Sequence, residues 1–396
     1  MEKNLQIGLF GFGCVGQGLY DVLENSTNLR ADIGKIAVKQ KGKKRSLPSD
    51  YFTFEKEEIL DDKEVDLVVE LIDDASDAYD IVTHALKNGK NVVTANKKMV
   101  AENLSELFQL QKDNKASLLY EASCCGSIPI VRTLEEYYDN ELLFAIRGIF
   151  NGSSNYILSK VFNEGGSYVD ALKEAQELGF AETDPTLDVG GFDAKYKLVI
   201  LTAHSFGLFV KPDDVFNYGI QALSDFDIQF AKEKGWKIKL IAQAYKSQEN
   251  KDKVALYVIP QFVEEDNYLY DVENEYNGVV VEAAFSEKQF FRGKGAGGHP
   301  TGSAVLSDIS ANRYGYGYEY RKYQSKNGVY FSDDVVLTVY FRYNDPEVFQ
   351  ADDFIRIFER YEGEKGNYIV GQVGLRTLKE SQQFKEDGTF LVELPQ

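Results

Sequence analysis

The chain has 396 residues, 43% apolar and 27% charged, with 63 acids against 44 bases and a formal charge of −19. That much apolar material excludes a disordered or fibrous chain, and at roughly 150 residues per domain the length predicts two to three domains. The acidic balance excludes general nucleic-acid binding, which needs a basic surface to displace counterions, and it excludes docking on anionic lipid.

Residues 5–10 read as a short buried strand, followed by Gly11, Gly13 and Gly16 and an amphipathic helix over 15–24. A second strand is predicted at 36–39. The near-continuous apolar run 65–72 suits a parallel strand covered on both faces, and a helix at 78–87 and a strand at 91–94 follow. Strands alternating with helices predict a Rossmann-like, doubly wound α/β domain over residues 1–130, completed by 290–315. Helices at 128–138, 155–162, 168–178 and 192–206, then strands at 239–245, 254–263 and 279–285, predict a second, α+β domain over 131–289. A glycine-rich run at 293–298 precedes a helical pattern at 303–311, and the low-complexity segment YGYGYEY (314–320) reads as a linker. Residues 321–396 form a small C-terminal α+β region, with a strand at 335–343, a helix at 354–361 and further strand-like pieces.

Cys14, Cys124 and Cys125 cannot build a disulfide framework, and a bridge between the neighbouring pair would be strained. A reducing, cytoplasmic location fits them. The first apolar run leads into a glycine turn and not into a cleavage site. No apolar stretch approaches the roughly 20 residues that span a bilayer.

The spacing Gly11-x-Gly13-x-x-Gly16, with Cys14 and Val15 inside it, sits between a predicted strand and helix. The first glycine permits the tight turn, the second lets a pyrophosphate approach the backbone, and the third lets helix and strand pack closely. Dinucleotide binding follows, with a merely structural glycine turn as the alternative. The second strand runs into Val38-Lys39-Gln40-Lys41, and no acid stands ready for ribose hydroxyls. Cations such as Lys39 and Lys41 suit a 2′-phosphate, so NADP(H) is preferred over NAD(H). A solvated basic loop is the alternative.

The run NVVTANKK (91–98) ends a strand at the edge where α/β sites lie, beside Thr94, Asn96 and Lys97. Lys97 there is a cation or proton donor near the nicotinamide, or else a surface lysine. In YEASCCGSIPI (120–130), Glu121 and the carbonyls of Cys124, Gly126 and Ile128 can hold a hard monovalent cation; a plain helix-entry loop is the alternative. No further Cys or nearby His completes a zinc set. The turn NGSSN (151–155), with Gly152 and Ser153, caps a helix, binds a polar ligand, or does both.

Glu182, Asp184, Asp188, Asp193, Lys195 and Lys197 crowd the stretch 181–197. Asp193 and Lys197 are four apart on a predicted helix and share a face. Buried together, they would place an ammonium beside a carbonyl oxygen, stabilise the alkoxide formed as hydride arrives, and supply its proton. Glu182 and Asp188 can bind an amino-acid ammonium; acids favouring a helix N-terminus are the alternative. Of the histidines, only His299, in the GGHPTG loop, falls near a motif.

Taken together, GFGCVG, VVTANKK, YEASCCGSIPI, GIFNGSSNYIL, ELGFAETDPTLDVGGFDAKYKL and GKGAGGHPTGSAVLSDI resemble homoserine dehydrogenase, monofunctional form, over residues 5–312. The resemblance implies reversible NAD(P)H-dependent reduction of aspartate 4-semialdehyde to L-homoserine, towards threonine, methionine and isoleucine. It implies that Lys97 and Lys197 flank the reacting carbonyl, with Lys197 the favoured proton donor, and that Asp193 orients the substrate. Glu182 and Asp188 would take the α-ammonium, with Asp184, Gly152 and Ser153 also in the substrate site. The cofactor would lie on Gly11, Gly13, Cys14, Val15, Gly16, Lys39, Lys41, Thr94, Asn96, Lys97 and Gly298. Sodium would lie on Glu121, Cys124, Gly126 and Ile128, and the middle domain would form a homodimer.

Asp73-Asp74 departs from the family's usual Gly-Gly, and the last roughly 80 residues lack its regulatory signature. A degenerate βαββαβ, ACT-like module is one account of that region. Two other functions compete: an oxidoreductase for another amino-acid aldehyde, and a non-catalytic NAD(P)-binding sensor. The intact set Lys97, Asp193 and Lys197 speaks against the sensor, and Asp73-Asp74 speaks mildly for it.

Overall fold

The computed structural model describes residues 4–27, 29–140, 142–325, 328–364 and 366–395. The chain divides into two compact units, residues 1–139 with 294–324, and 140–293 with 325–396.

The first unit is built on a parallel sheet of β1 (Leu5–Phe10), β2 (Ala31–Ala37), β3 (Phe52–Thr53), β4 (Leu67–Glu70), β5 (Asn91–Thr94) and β6 (Leu118–Leu119), in the order β3-β2-β1-β4-β5-β6. The order reverses at β1 and β4, the point where such sheets open a ligand crevice at their carboxyl ends. All four residues of β4 are buried, as expected of a strand covered on both faces. Helices α1 (Cys14–Glu24), α2 (Ala75–Lys87) and α3 (Lys97–Asn114) follow β1, β4 and β5. The chain returns through the helix Gly298–Arg313, which packs on α1. The contact is close because Gly18 has no side chain: a Cβ there would meet the Gly298 carbonyl oxygen at 2.1 Å.

Two expectations in this unit are corrected. The helix predicted over 128–138 is one α-turn, Ile130–Arg132, opening into a π-turn over Thr133–Tyr137. The expected linker 314–320 is packed: Tyr318 and Tyr320 are buried, and the Tyr320 hydroxyl lies 2.8 Å from that of Tyr120. Tyr318 and Tyr320 turn inward there while Tyr314 stays exposed, and the buried ring area outweighs the flexibility of Gly315 and Gly317. Helix α3 has no counterpart among the predicted elements; its pattern is weak and Asn103 breaks its geometry with φ −125°.

The second unit contains β7 (Leu143–Ile149), β8 (Phe216–Asn217), β9 (Lys237–Lys246), β10 (Lys253–Val263), β11 (Tyr276–Ala283), β12 (Glu287–Lys294), β13 (Tyr330–Phe331), β14 (Val336–Tyr343), β15 (Phe354–Gly363), β16 (Gly366–Gly374) and β17 (Thr389–Glu393). Among the described residues they form one mixed sheet, β12-β11-β7-β9-β10-β17-β14-β16-β15, with β8 and β13 also on β10. Helices α4 (Gly152–Glu164), α5 (Phe192–Phe206) and α6 (Asp225–Glu233) belong to this unit. Its C-terminal strands share a core with β10, where Tyr257 and Ile259 pack with Leu337, Phe341, Phe384 and Leu391.

Residues 354–361, expected as a helix, are the edge strand β15, paired with β16 across two register shifts. Ile355, Ile357, Phe358 and Tyr361 mimic helical spacing, but the shifts break strict alternation. Within β17-β14-β16-β15, the β14–β15 connection carries only the 3₁₀ turn Ala351–Asp353, and the β16–β17 connection carries the short helix Leu375–Glu380.

Candidate active site

The crevice in the first unit begins at the glycine turn. Gly11 has φ +91°, and a Cβ there would meet the Leu71 carbonyl oxygen at 2.6 Å. A Cβ on Gly16 would meet the Gly11 carbonyl oxygen at 2.4 Å, so this glycine closes the turn onto α1. At Gly13, by contrast, nothing lies within 4 Å of where a Cβ would be. That open space at a helix N-terminus, with no acid in the first turn, fits a pyrophosphate. Cys14 and Val15 start α1, and Gly298 sits against the Cys14 carbonyl, which a Cβ at 298 would meet at 2.8 Å.

A cavity of about 580 Å³ adjoins the turn, lined by Gly11, Gly13, Lys39, Lys43, Arg45 and Asp77 among others. Arg45 is pre-positioned: its guanidinium donates to the carbonyls of Gln40 (2.6 Å) and Lys43 (2.9 Å) and lies 5.1 Å from the Phe52 ring centre. Lys41, singled out from sequence, lies over the Phe54 ring at 5.3 Å. Lys39 is ion-paired with Asp77 in the first turn of α2, which raises its pKa above the ordinary lysine value. Asp74, one of the two departing acids, is the N-cap of α2 and accepts the Asp77 amide at 2.8 Å.

Sequence reasoning passed over Glu70. It ends β4 fully buried, and its carboxylate accepts the Ile72 amide at 2.6 Å and the Thr94 hydroxyl at 2.5 Å. Burial pushes its carboxyl up to about 7 against those two hydrogen bonds. The Thr94 hydroxyl accepts the Asn96 amide at 3.0 Å; Asn96 donates to the Ile72 carbonyl at 3.1 Å and caps α3 at Met99. The network fixes the carboxyl ends of β4 and β5 together, and Lys97 is the first residue of the helix so capped. An acid closing an apolar strand was the one visible signal.

In the second unit, Gly190 and Gly191 precede α5, Gly191 at φ +80° serving as its N-cap. One turn in, Asp193 Oδ2 and Lys197 Nζ meet at 2.7 Å. Lys197 also donates to the Phe150 carbonyl at 2.7 Å. Asn151 donates to Asp188 at 2.6 Å and to Asp193 at 2.9 Å while its own oxygen caps α4 at Ser154. The structure thus gathers Asn151, Asp188, Asp193 and Lys197. Gly152 abuts the Glu275 backbone, and the Ser153 hydroxyl donates to the Phe180 carbonyl at 2.5 Å. Glu182 and Asp184 are exposed, Asp184 accepting the Thr186 hydroxyl at 2.6 Å. Lys195 is buried against the Phe192 ring, and desolvation lowers its pKa.

At the expected cation turn, both oxygens of Glu121 accept amides, from Val131 and Arg132, each at 2.8 Å. The Ile128 carbonyl accepts the Ile130 amide at 2.9 Å. Asp308 accepts the Glu121 amide at 2.8 Å, yet its buried Oδ1 has no hydrogen-bond partner, with Arg132 Nε 3.8 Å away. Two buried carboxylates against one guanidinium, with an orphaned oxygen, fit a further cation.

A doubly wound unit with an open glycine turn at its switch point, joined in one chain to a buried Asp–Lys pair, defines an NAD(P)-dependent oxidoreductase. Two family models match the chain, the NAD binding domain of homoserine dehydrogenase over residues 11–121 and homoserine dehydrogenase over residues 129–310. The Bacillus subtilis homoserine dehydrogenase is 39% identical over 318 residues, 78% of this chain and 73% of that one. The Lactococcus lactis enzyme is 33% identical over 377 residues, 91% and 87% of the two chains. A solved homoserine dehydrogenase from Thiobacillus denitrificans superposes with TM-score 0.86 at 29% identity, over 99% of this chain and 98% of that one. A hyperthermophilic archaeal homoserine dehydrogenase in complex with NADPH gives 0.68 at 27% identity, over 80% and 99%. The chain belongs to the homoserine dehydrogenase family. It acts on a CH–OH group with a nicotinamide cofactor, interconverting L-homoserine and aspartate 4-semialdehyde. Among the described residues, no helix is long and apolar enough to cross a membrane.

Proposed function

We propose that Lys197 carries the proton of this reaction and that the second unit holds the substrate through the Asn151–Asp188–Asp193–Lys197 cluster. The observation that supports this is the 2.7 Å ion pair between Asp193 and Lys197, closed almost out of solvent. The nicotinamide, when bound, supplies or accepts a hydride at the C4 carbon of the substrate. In the reducing direction the carbonyl oxygen gains the Lys197 proton as its C–O double bond becomes single; in the oxidising direction Lys197 takes that proton back. Asp193 keeps the Lys197 side chain oriented for transfer. Asp188, with Glu182 and Asp184 nearby in sequence, supplies negative charge for the substrate ammonium, and Gly152 and Ser153 shape the turn beside Asn151. Lys97 adds a second cation at the start of α3.

The first unit binds the cofactor through Gly11, Gly13, Cys14, Val15, Gly16 and Gly298, with Thr94 and Asn96 at the carboxyl edge. Lys39, Lys41 and Arg45 favour the 2′-phosphate of NADP(H) over NAD(H). Sodium at the Cys124–Ile128 carbonyls would balance Glu121 and Asp308; it takes no part in the chemistry. The enzyme works as a homodimer in the cytoplasm, a reducing compartment that suits three free thiols.

Replacement of Lys197 by Met is the direct experiment. Turnover of homoserine should vanish while the dissociation constant for the reduced nicotinamide stays near that of the wild type. Unchanged turnover would remove Lys197 from the mechanism. Sedimentation of the pure protein tests the dimer.

A further inference from the structure

The cofactor cavity holds a carboxylate where the second strand supplies none. Lys39, at the carboxyl end of β2, occupies the position from which NAD-binding chains usually present an acid to the ribose hydroxyls. Its ammonium is paired with Asp77, which reaches it from the first turn of α2, and both side chains line the cavity. Asp77 is not needed to cap α2, because Asp74 does that with its own carboxylate. Arg45 is different: its partners are two neutral carbonyls and a ring face, so its full charge remains at the wall. Asp80 lines the same wall.

We propose that Asp77 sets the cofactor discrimination of this enzyme, masking Lys39 against the 2′-phosphate and offering a carboxylate to the 2′-hydroxyl, so that both cofactors are accepted. This rests on the assignment of the basic strip to the adenosine ribose. Arg45 then supplies the attraction for the phosphate, and the Lys39–Asp77 pair subtracts from it. A phosphate must compete with Asp77 for Lys39 and is repelled by the carboxylate it displaces, whereas an unphosphorylated ribose meets neither cost.

The test is calorimetric titration of the full-length protein with 2′,5′-ADP and with 5′-AMP, ligands that differ only in the 2′-phosphate. Removing one carboxylate charge at this range in a solvated wall is worth on the order of threefold to tenfold in affinity. Asp77→Asn should therefore tighten 2′,5′-ADP by about that factor, leave or weaken 5′-AMP, and steepen the salt dependence of 2′,5′-ADP binding. The gain should disappear in the Lys39→Met background. Asp77→Ser, which keeps a small polar residue in the first turn of α2, guards against a local folding defect in the first variant. Equal changes for both ligands would show that Asp77 acts only through the start of α2, and would overturn the proposal. If Lys39→Met and Arg45→Gln leave the ratio of the two affinities untouched, the basic strip is not the phosphate site and the assignment beneath the proposal falls with it. If they alter the ratio and neither Asp77 variant does, the proposal alone fails.

Discussion

Asp193 and Lys197 stand one helical turn apart on α5 and close at 2.7 Å, with only 4% and 7% of their surfaces exposed. A pair so enclosed attracts strongly, but each charge also depends on the other, because without it the Phe150 carbonyl on Lys197 and the Asn151 amide on Asp193 offer neutral partners in place of an opposite charge.

Asp193→Asn should therefore lose more than orientation. Turnover should fall by about 10²- to 10⁴-fold, the usual worth of positioned proton transfer. Unfolding free energy in urea should drop by about 3–5 kcal/mol. The double variant Asp193→Asn/Lys197→Met, which removes both charges, should regain part of that stability and none of the turnover. A double variant no more stable than Asp193→Asn would show that the uncompensated ammonium is not the cause.

Glu70 gives a pH signature. Its carboxyl titrates near 4.5 when unfolded and is pushed up to about 7 in the fold. Between those values the folded state holds a proton that the unfolded state has lost, so stability falls as pH rises through this window. The shift corresponds to a slope summing to roughly 3 kcal/mol. Glu70→Gln should abolish that component, so the difference between wild-type and variant urea midpoints should change between pH 5 and 8. A constant difference would mean that Glu70 stays ionised throughout.

The glycines of the turn should separate binding from folding. Gly13→Ala adds a methyl group into open space, so melting should be unchanged while nicotinamide affinity falls by about tenfold or more. Gly16→Ala drives its methyl to 2.4 Å from the Gly11 carbonyl and should cost about 1–3 kcal/mol of stability. Thermal unfolding and cofactor titration on both variants decide it; equal effects on melting would contradict the geometry.

Arg342 on β14 joins the C-terminal strands to α6. Its Nε lies 2.9 and 3.0 Å from the two Asp227 oxygens, and its other nitrogens reach the carbonyls of Gly388 and Ala222. Asp227 also accepts from Tyr340 and Ser224. Arg342→Met should cost about 3–5 kcal/mol by leaving that carboxylate buried without its cation. A loss below 1 kcal/mol in urea unfolding would show that Tyr340 and Ser224 suffice.

Much of the first unit was legible because its signals are local. The β1–glycine turn–α1 sequence and the apolar run that β4 closes with Glu70 each depend on residues within one or two turns of one another. The same holds for Asp193 and Lys197, whose meeting follows from helical period. The role of Glu70 was not legible: an acid at a strand end is common, and its importance comes from Thr94, 24 residues on, facing it across the sheet. Strand β15 was misjudged because aromatic and branched residues at irregular spacing fit either element, and pairing with β16 decides between them. The tyrosines of 314–320 looked like a linker because no local pattern reveals the Tyr120 hydroxyl, 200 residues away, that Tyr320 meets.

The sequence by itself determined where a dinucleotide turn forms, which lysine and aspartate share a helix face, and, through the ordered motifs, the family. Those features are set by backbone sterics and by periods of two or 3.6 residues, which act over a few positions. Only the tertiary structure decided that Asp77 reaches Lys39, 38 residues before it, and that Glu393 closes the second sheet against Gln243, Gln261 and Tyr257. Such pairings depend on strand order and burial, which bring charges from distant segments into one low-dielectric place, and no local pattern encodes their partners.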